Sequence, residues 1–426
     1  MRLFLVLLIV TFIWSESKIF GQEILSFYEV SLSAGVNHRA VFSDTIFAAQ
    51  GGVAWFDYNM DGNEDLYLTG GDVADALYEN NGYGGFVDVT ASAGLSMMDE
   101  SVKTMGVISG DIDNDGYREL FITTEDASTN HLLYNNGDGT FTDISVSAGV
   151  NGGGNSASAA FGDYDLDGDL DLYVTNWCVE MLDAETIDTF PSIKNYLYRN
   201  NGDLTFTEVS EDFGVADANG CSLGVMFTDF DNDRDVDLMI ANDFGYLLGN
   251  NENCLFRCEY PGAGFVDVSE QTSFNFGING MGMAQGDYDE DGDLDYYISN
   301  VGNDLLLRNN GSSFSNMTSN AGLENETVQT LDQSGWANTF GWGCGFFDFD
   351  NDSYLDLFVA NGDLSFKGPA RPSLDANKLY LNNGNATFTD VSTLAGVADT
   401  YMSRGFACSD YDNDGDMICW WESLTQ

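Results

Sequence analysis

The stretch DYDLDGDLD, residues 163–171, sets five aspartates on alternate positions around one glycine. Two carboxylates about 4 Å apart repel by roughly 1 kcal/mol in water and several-fold more at a protein surface. A turn this acidic cannot close tightly unless something cationic sits inside it. The same nine-residue pattern starts again at Asp57, Asp111, Asp229, Asp287, Asp348 and Asp410, and the seven windows hold 32 of the chain's 69 acidic residues. What the loop does, the chain does repeatedly.

Successive loops are 52 to 66 residues apart, a period that signals stacked supersecondary units, each burying its apolar face against its neighbours. Before each loop stands a run of small and apolar residues such as GGVAWFDY from Gly51, and after it a β-rich run such as LDLYVTN from Leu170. Further on comes a second signature, for example LYRNNGDLTFTEVSEDFGV from Leu197, in which Asn-Asn-Gly between alternating segments predicts a tight hairpin. Four antiparallel strands per unit predict an all-β, seven-bladed β-propeller of four-stranded blades over residues 22–426. The segment FYEVSLSAGV, Phe27 to Val36, matches the outer half of a repeat and has no partner half before it. It is expected to close an incomplete last blade, which would hold three strands and be truncated after about residue 416.

Oxygen ligands alternating along a turn with glycine at position six suit a hard, six- to eight-coordinate ion, which favours Ca²⁺ over Mg²⁺. Positions 1, 3, 5 and 9 would contribute side chains and position 7 its carbonyl. The candidate ligands are Asp57, Asn59, Asp61, Asn63 and Asp65 in loop one, and Asp111, Asp113, Asp115, Tyr117 and Glu119 in loop two. Loop three offers Asp163, Asp165, Asp167, Asp169 and Asp171, and loop four Asp229, Asp231, Asp233, Asp235 and Asp237. Loop five offers Asp287, Asp289, Asp291, Asp293 and Asp295, loop six Asp348, Asp350, Asp352, Tyr354 and Asp356, and loop seven Asp410, Asp412, Asp414 and Asp416. Up to seven ions are expected. Loops one, three and five should bind best: loop two ends in Glu119, loops four and six have Arg234 and Ser353 in place of glycine, and loop seven has Ile418 at position nine. An EF-hand is excluded, because position 12 is Leu68, Ile122, Val174, Ile240, Ile298, Val359 or Trp421, none of them acidic.

These loops, joined to half-repeats such as LYLNNGNATFTDVSTLAGV from Leu379, resemble the FG-GAP and VCBS repeat families. Among these the likeness is to propellers of the cartilage acidic protein type and bacterial relatives carrying an ASPIC/UnbV segment, and more distantly to the integrin α-subunit head. The resemblance implies an extracellular, Ca²⁺-loaded propeller with its metals between the first and second strands of each blade.

A net charge of −55 argues against nucleic-acid partners. Met1-Arg2 followed by the apolar run Leu3 to Trp14, then Ser15-Glu16-Ser17 and a second candidate cleavage point at Gly21, predicts a secretory signal over residues 1–21. No later run predicts a transmembrane segment. Localisation is expected to be secreted or cell-surface, or periplasmic in a bacterial cell. Seven cysteines fit an oxidising compartment, with Cys254 and Cys258 close enough in sequence to pair. Asn310, Asn316, Asn325 and Asn385 head Asn-x-Ser/Thr sequons.

The two histidines, His38 and His131, sit in different repeats with no catalytic spacing, so no catalytic residues are assigned. Longer excursions run from Cys178 to Asn195, placed in the fourth blade, and from Asp363 to Lys378 in the sixth, the latter with Lys367, Arg371 and Lys378 as a basic cluster. The expected function is adhesion or recognition of an extracellular protein or glycan. The alternative is a Ca²⁺-dependent glycan-active enzyme such as a polysaccharide lyase.

Overall fold

The computed structural model describes residues 26–424 except 39, 42–50, 126–128, 179–193, 219, 246–250, 260–263, 325–338 and 363–374, with the backbone of Leu8–Ile9, Lys18–Ile19 and Gln22–Glu23. Six antiparallel sheets are each made of four consecutive strands, over residues 53–88, 104–143, 156–208, 222–267, 280–316 and 341–390. These are blades one to six. In blade three the strands are Ser156–Gly162, Asp171–Asn176, Tyr196–Asn200 and Phe206–Glu208, in that order from the centre outward.

The expectation of a seven-bladed propeller of four-stranded blades, its incomplete last blade closed by the N-terminal strand, is corrected. Among the described residues there are six blades of that kind, and what completes the ring is a composite sheet of different make. Its order is Met402–Ser409, Ile418–Leu424, Leu8–Ile9 and Tyr28–Glu29. Two members are two residues long, and one lies inside the expected leader. A separate two-stranded piece, Lys18–Ile19 with Gln22–Glu23, has no counterpart in the repeat. Within the composite sheet, Ile418–Leu424 pairs antiparallel with Met402–Ser409, and Trp420 and Trp421 are completely buried. The physical reason for the difference is that two of its four members are two-residue strands from the N-terminal residues, too short to carry the repeat's alternation.

The outer half-repeat is shorter than an alternating reading suggests. Phe141–Asp143 is a three-residue strand, and the following Ser145–Ala148 is a helical turn closed by Gly149 at φ +79°. Glycine suits that left-handed position because it has no Cβ. Phe27 to Val36 repeats the arrangement, with strand Tyr28–Glu29 and turn Ser31–Ala34.

Cores lie between sheets rather than within one. Ala54, Phe56, Tyr67 and Leu77 of blade one pack with Val107, Leu120, Ile122 and Phe141 of blade two. One cluster joins blade six, the closing sheet and blade one through Phe358, Leu379, Trp420, Trp421, Leu66 and Phe86. The inner strands approach so closely that a Cβ on Gly405 of the closing sheet would collide with the carbonyl oxygen of Gly51, and one on Gly52 would lie 2.8 Å from the Val107 nitrogen. A hydroxyl in the second strand latches these strands together. Thr69 Oγ1 accepts from Gly52 N at 2.7 Å and donates to the Met105 carbonyl of the next blade at 3.1 Å. Thr123, Thr175 and Ser299 repeat this in blades two, three and five, while Ala241 and Ala360 occupy the position in blades four and six. The inner strands surround a cavity of about 280 Å³, in which the Arg404 guanidinium lies 4.0 Å from the Trp342 ring centroid.

Asp75 shows how buried acids serve this fold. Fully enclosed, it accepts from Gly70 N and Thr104 Oγ1 at 2.7 Å and from the Tyr67 hydroxyl at 2.8 Å. Burial nevertheless outweighs these bonds and raises its pKa to about 6. A carboxyl raised in the folded state contributes stability that is present below its unfolded pKa and lost as pH rises through about 6. Asp75→Asn, which keeps the acceptor and mimics the protonated acid, is expected to remove about 3 kcal/mol of that pH dependence between pH 4 and 8. Unfolding curves of both proteins at the two pH values check it; identical pH slopes would contradict it.

Candidate metal centres

Each acidic loop connects the first strand of its sheet to the second, and all seven fold alike. The position-one aspartate accepts from the backbone nitrogens of positions five and six; in loop three Asp163 does so at 3.1 and 3.0 Å. The position-five aspartate accepts from the nitrogen of position seven, as Asp167 does from Asp169 at 3.0 Å. Position six has positive φ in every loop, at Gly62, Gly116, Gly168, Gly292 and Gly415 and, as expected from the sequence, also at Arg234 (+81°) and Ser353 (+77°). Position four is left-handed as well, at Met60, Asn114, Leu166, Asn232, Glu290, Asn351 and Asn413. The sequence pattern did not reveal this, since leucine, methionine and glutamate carry no such signal.

Position nine is the buried member. Asp171 accepts from Tyr164 N at 3.2 Å and from Asn200 N, in the third strand, at 2.8 Å. Asp65, Glu119, Asp237 and Asp356 make the same two bonds, to Tyr58 and Asn80, Ile112 and Asn135, Phe230 and Cys258, and Phe349 and Asn382. Asp295 accepts from Asn309 N at 2.8 Å, while its Oδ2 has no donor. Burial raises Asp65, Glu119, Asp171, Asp237, Asp295 and Asp356 to about 8, with those backbone bonds opposing the shift.

Several predicted ligands converge. Oxygens of Asp111, Asp113 and Asp115 lie within 4.8 Å of one another, as do those of Asp163, Asp165 and Asp171, of Asp229, Asp231 and Asp237, of Asp287, Asp289 and Asp291, and of Asp348, Asp350 and Asp356. At position three, Oδ1 of Asp165, Asp231, Asp289 and Asp350 is buried and has no hydrogen-bond donor. A carboxylate oxygen buried beside other carboxylates without a donor is costly unless a cation serves it. The donor set is all oxygen, which fits a hard divalent ion.

Position-seven side chains do not join these clusters. Asp169, Asp293 and Asp416 instead accept from Asn114, Asn232 and Asn351 of the preceding loops at 3.0, 2.8 and 3.0 Å. That leaves the position-seven carbonyl as the candidate ligand there, as expected for Asn63, Tyr117, Asp235 and Tyr354 too. Neighbouring loops thus touch around one face of the ring.

The first asparagine of each Asn-Asn-Gly turn is the residue whose role the sequence hid. Glycine supplies the turn's positive φ, as at Gly202 (+72°). Asn200 Oδ1 accepts from Gly202 N, and its Nδ2 donates to Leu170 O and, at 2.8 Å, to Ile112 O in the loop of blade two. Asn80, Asn135, Asn309 and Asn382 reach Tyr411, Tyr58, Phe230 and Tyr288 in the same way, each in the preceding acidic loop. In blade four Cys258 takes the place, its Sγ 3.4 Å from Tyr164 O.

Residues 57–122, 111–174 and 348–417 each match the family described as FG-GAP-like repeat. These are FG-GAP-like repeats. The chain is 27% identical to human cartilage acidic protein 1 over 295 residues, 65% of this chain and 40% of that protein. Against the mouse protein the figures are 28% over 290 residues, 64% and 41%. The chain therefore spans about two-fifths of the curated relatives it matches. Among solved structures, an Agrocybe aegerita lectin that recognises non-reducing terminal N-acetylglucosamine aligns over 89% of this chain and 87% of its own, at 14% identity and a TM-score of 0.45. That likeness carries no argument about ligands.

Both histidines are structurally engaged. His38 is buried with Nε2 3.0 Å from Thr69 O, and burial lowers its pKa. His131 Nδ1 lies 2.7 Å from Asp143 Oδ2. Lys378 pairs with Asp390 at 2.8 Å, while Lys367 and Arg371 lie outside the described residues. The excursion that begins at Cys178 belongs to blade three, not four, because Asp171–Asn176 and Tyr196–Asn200 are neighbours in one sheet. Cys254 and Cys258 do not pair: they end one strand, four residues apart and about 13 Å along it. The disulfide is Cys178–Cys221.

Two substitutions test this construction. Asn200→Ala removes the bonds to the turn, its own loop and blade two, and should lower unfolding free energy by about 3 kcal/mol; a loss below about 0.5 kcal/mol would show the clamp to be idle. Ser353→Gly relieves a left-handed residue without altering charge, and should raise stability by about 1 kcal/mol. Chemical denaturation measures both.

Proposed function

We propose that this FG-GAP propeller is a secreted Ca²⁺-binding module for recognising an extracellular protein or glycan. The observation that carries the metal reading is the buried, donorless position-three oxygen of Asp165, Asp231, Asp289 and Asp350, each beside further loop carboxylates. When bound, the ion would supply the positive charge that lets these carboxylates share one turn. Positions 1, 3, 5 and 9 and the position-seven carbonyl would hold it. Loop seven, with Ile418 at position nine, would hold it least well.

Recognition is supported by the construction of the scaffold. Rigid blades leave the connecting loops as the variable, exposed surface, which is where binding residues concentrate. Export is supported by the leader-like residues 1–21, by the Cys178–Cys221 disulfide, and by the similarity to cartilage acidic protein 1. No helix among the described residues is long and apolar enough to cross a membrane. Removal of residues 1–21 would take Leu8–Ile9 out of the closing sheet, so N-terminal sequencing of exported protein tests this part directly.

Calcium titration by calorimetry, paired with thermal unfolding in calcium and in chelator, tests the metal. Ions held only by the folded state raise the midpoint by mass action. Chelation is expected to lower it by more than about 10 °C. No binding heat together with an unchanged midpoint would refute the reading. Unsaturated products from uronate polymers would favour the lyase alternative instead.

A further inference from the structure

The acidic loop that lacks a carboxylate at position nine is also the one bracketed by two cysteines. Cys408, in Met402–Ser409, and Cys419, in Ile418–Leu424, are direct cross-strand partners. Residues opposed in this way share one face of the sheet. Opposed Cα atoms in an antiparallel pair lie about 4.5 or 5.5 Å apart, and both separations fall within the range that a disulfide spans. Cys419 is fully buried and Cys408 partly so; both are free thiols and both belong to the core around the closing sheet.

The repeat supplies its own controls. The same register position in blades one to six is Trp55 with Leu66, Ser109 with Leu120, Phe161 with Leu172, Phe227 with Leu238, Gln285 with Tyr296, and Phe346 with Leu357. None is a pair of sulfurs. Those six loops are stapled to their sheets by the buried position-nine acid, whereas loop seven has Ile418 there.

We propose that Cys408 and Cys419 form a disulfide that clamps the closing sheet around the loop Asp410–Asp416, in place of the missing acid. The bond forms by exchange with a small-molecule or protein disulfide. The sulfur of partly exposed Cys408 attacks it and releases one thiol. Cys419 then displaces the second, so two cysteine thiols are oxidised and one external disulfide is reduced to two thiols. The clamp holds whatever the loops bind.

Thiol mapping of the full-length protein tests it. The protein is equilibrated with oxidised glutathione, acid-quenched, unfolded, alkylated and digested for mass spectrometry. The expected product is a linked peptide pair containing Cys408 and Cys419, lighter by two hydrogen atoms than the free peptides, with Cys254, Cys258 and Cys344 alkylated. Full alkylation of Cys408 and Cys419, or linkage of either to another cysteine, overturns the proposal. The clamping role has its own readout. Reductant should lower the melting midpoint of the native protein more than that of Cys408→Ser, since both retain Cys178–Cys221; equal drops would overturn it.

Discussion

One buried carboxylate per blade, at the ninth position of the acidic loop, holds three separated pieces of chain together. In every blade but the fifth, one oxygen accepts from the loop's second residue and the other from the third strand, as Asp171 does from Tyr164 and Asn200. The same asparagine then reaches back to the loop of the preceding blade. Loop, hairpin and neighbouring loop are therefore one hydrogen-bonded chain, repeated around the ring. Apolar packing between sheets makes the blades adhere, but it is directionless. The carboxylate and asparagine fix the angle and height at which they do so.

The acidic loops were legible in the sequence because a turn of this kind constrains residue type at nearly every position, and seven copies in one register leave little freedom. The glycine position was legible for the same reason, down to the left-handed φ of Arg234 and Ser353. The asparagine clamp was not. Asn200 and Ile112 are 88 residues apart, and an Asn-Asn-Gly turn is fully explained locally as a hairpin. Nothing in the string says that the first asparagine has a second task. The outer half-repeat misled for a related reason: FTDIS alternates like a strand, yet only three of its residues pair before the serine begins a helical turn.

The count of blades failed where the repeat itself stops. Six sheets are written contiguously and can be read off, because each strand's partner follows within one period. The remaining sheet draws on both ends of the chain, and its short members carry too few residues for periodicity to show. Its stability must come from elsewhere, and Trp420 and Trp421 provide part of it. Trp421 stacks on Phe358 at 4.9 Å, and Phe27 stacks on Phe349 at 5.1 Å, so blade six holds both ends. Gly405 brings the inner strand against blade one.

Concentrating acid on one face is the cost of this design, and the loop-to-loop bonds sharpen it. Asn114 and Asn232 do not let adjacent loops drift apart to relieve repulsion; they draw Asp169 and Asp293 inward. A chain with net charge −55 could lower its self-energy by spreading its carboxylates, yet it places 32 of 69 acids in seven short turns. Burial raises the position-nine acids to about 8, and the neighbouring like charges add to the shift. On the proposed reading, a bound cation would reverse that preference and supply the charge the backbone donors cannot. Electrostatic stress and blade contacts meet at the same six buried acids, from Asp65 to Asp356. The closing sheet has Ile418 where the other blades have that acid, and it is there that the proposed Cys408–Cys419 link would act.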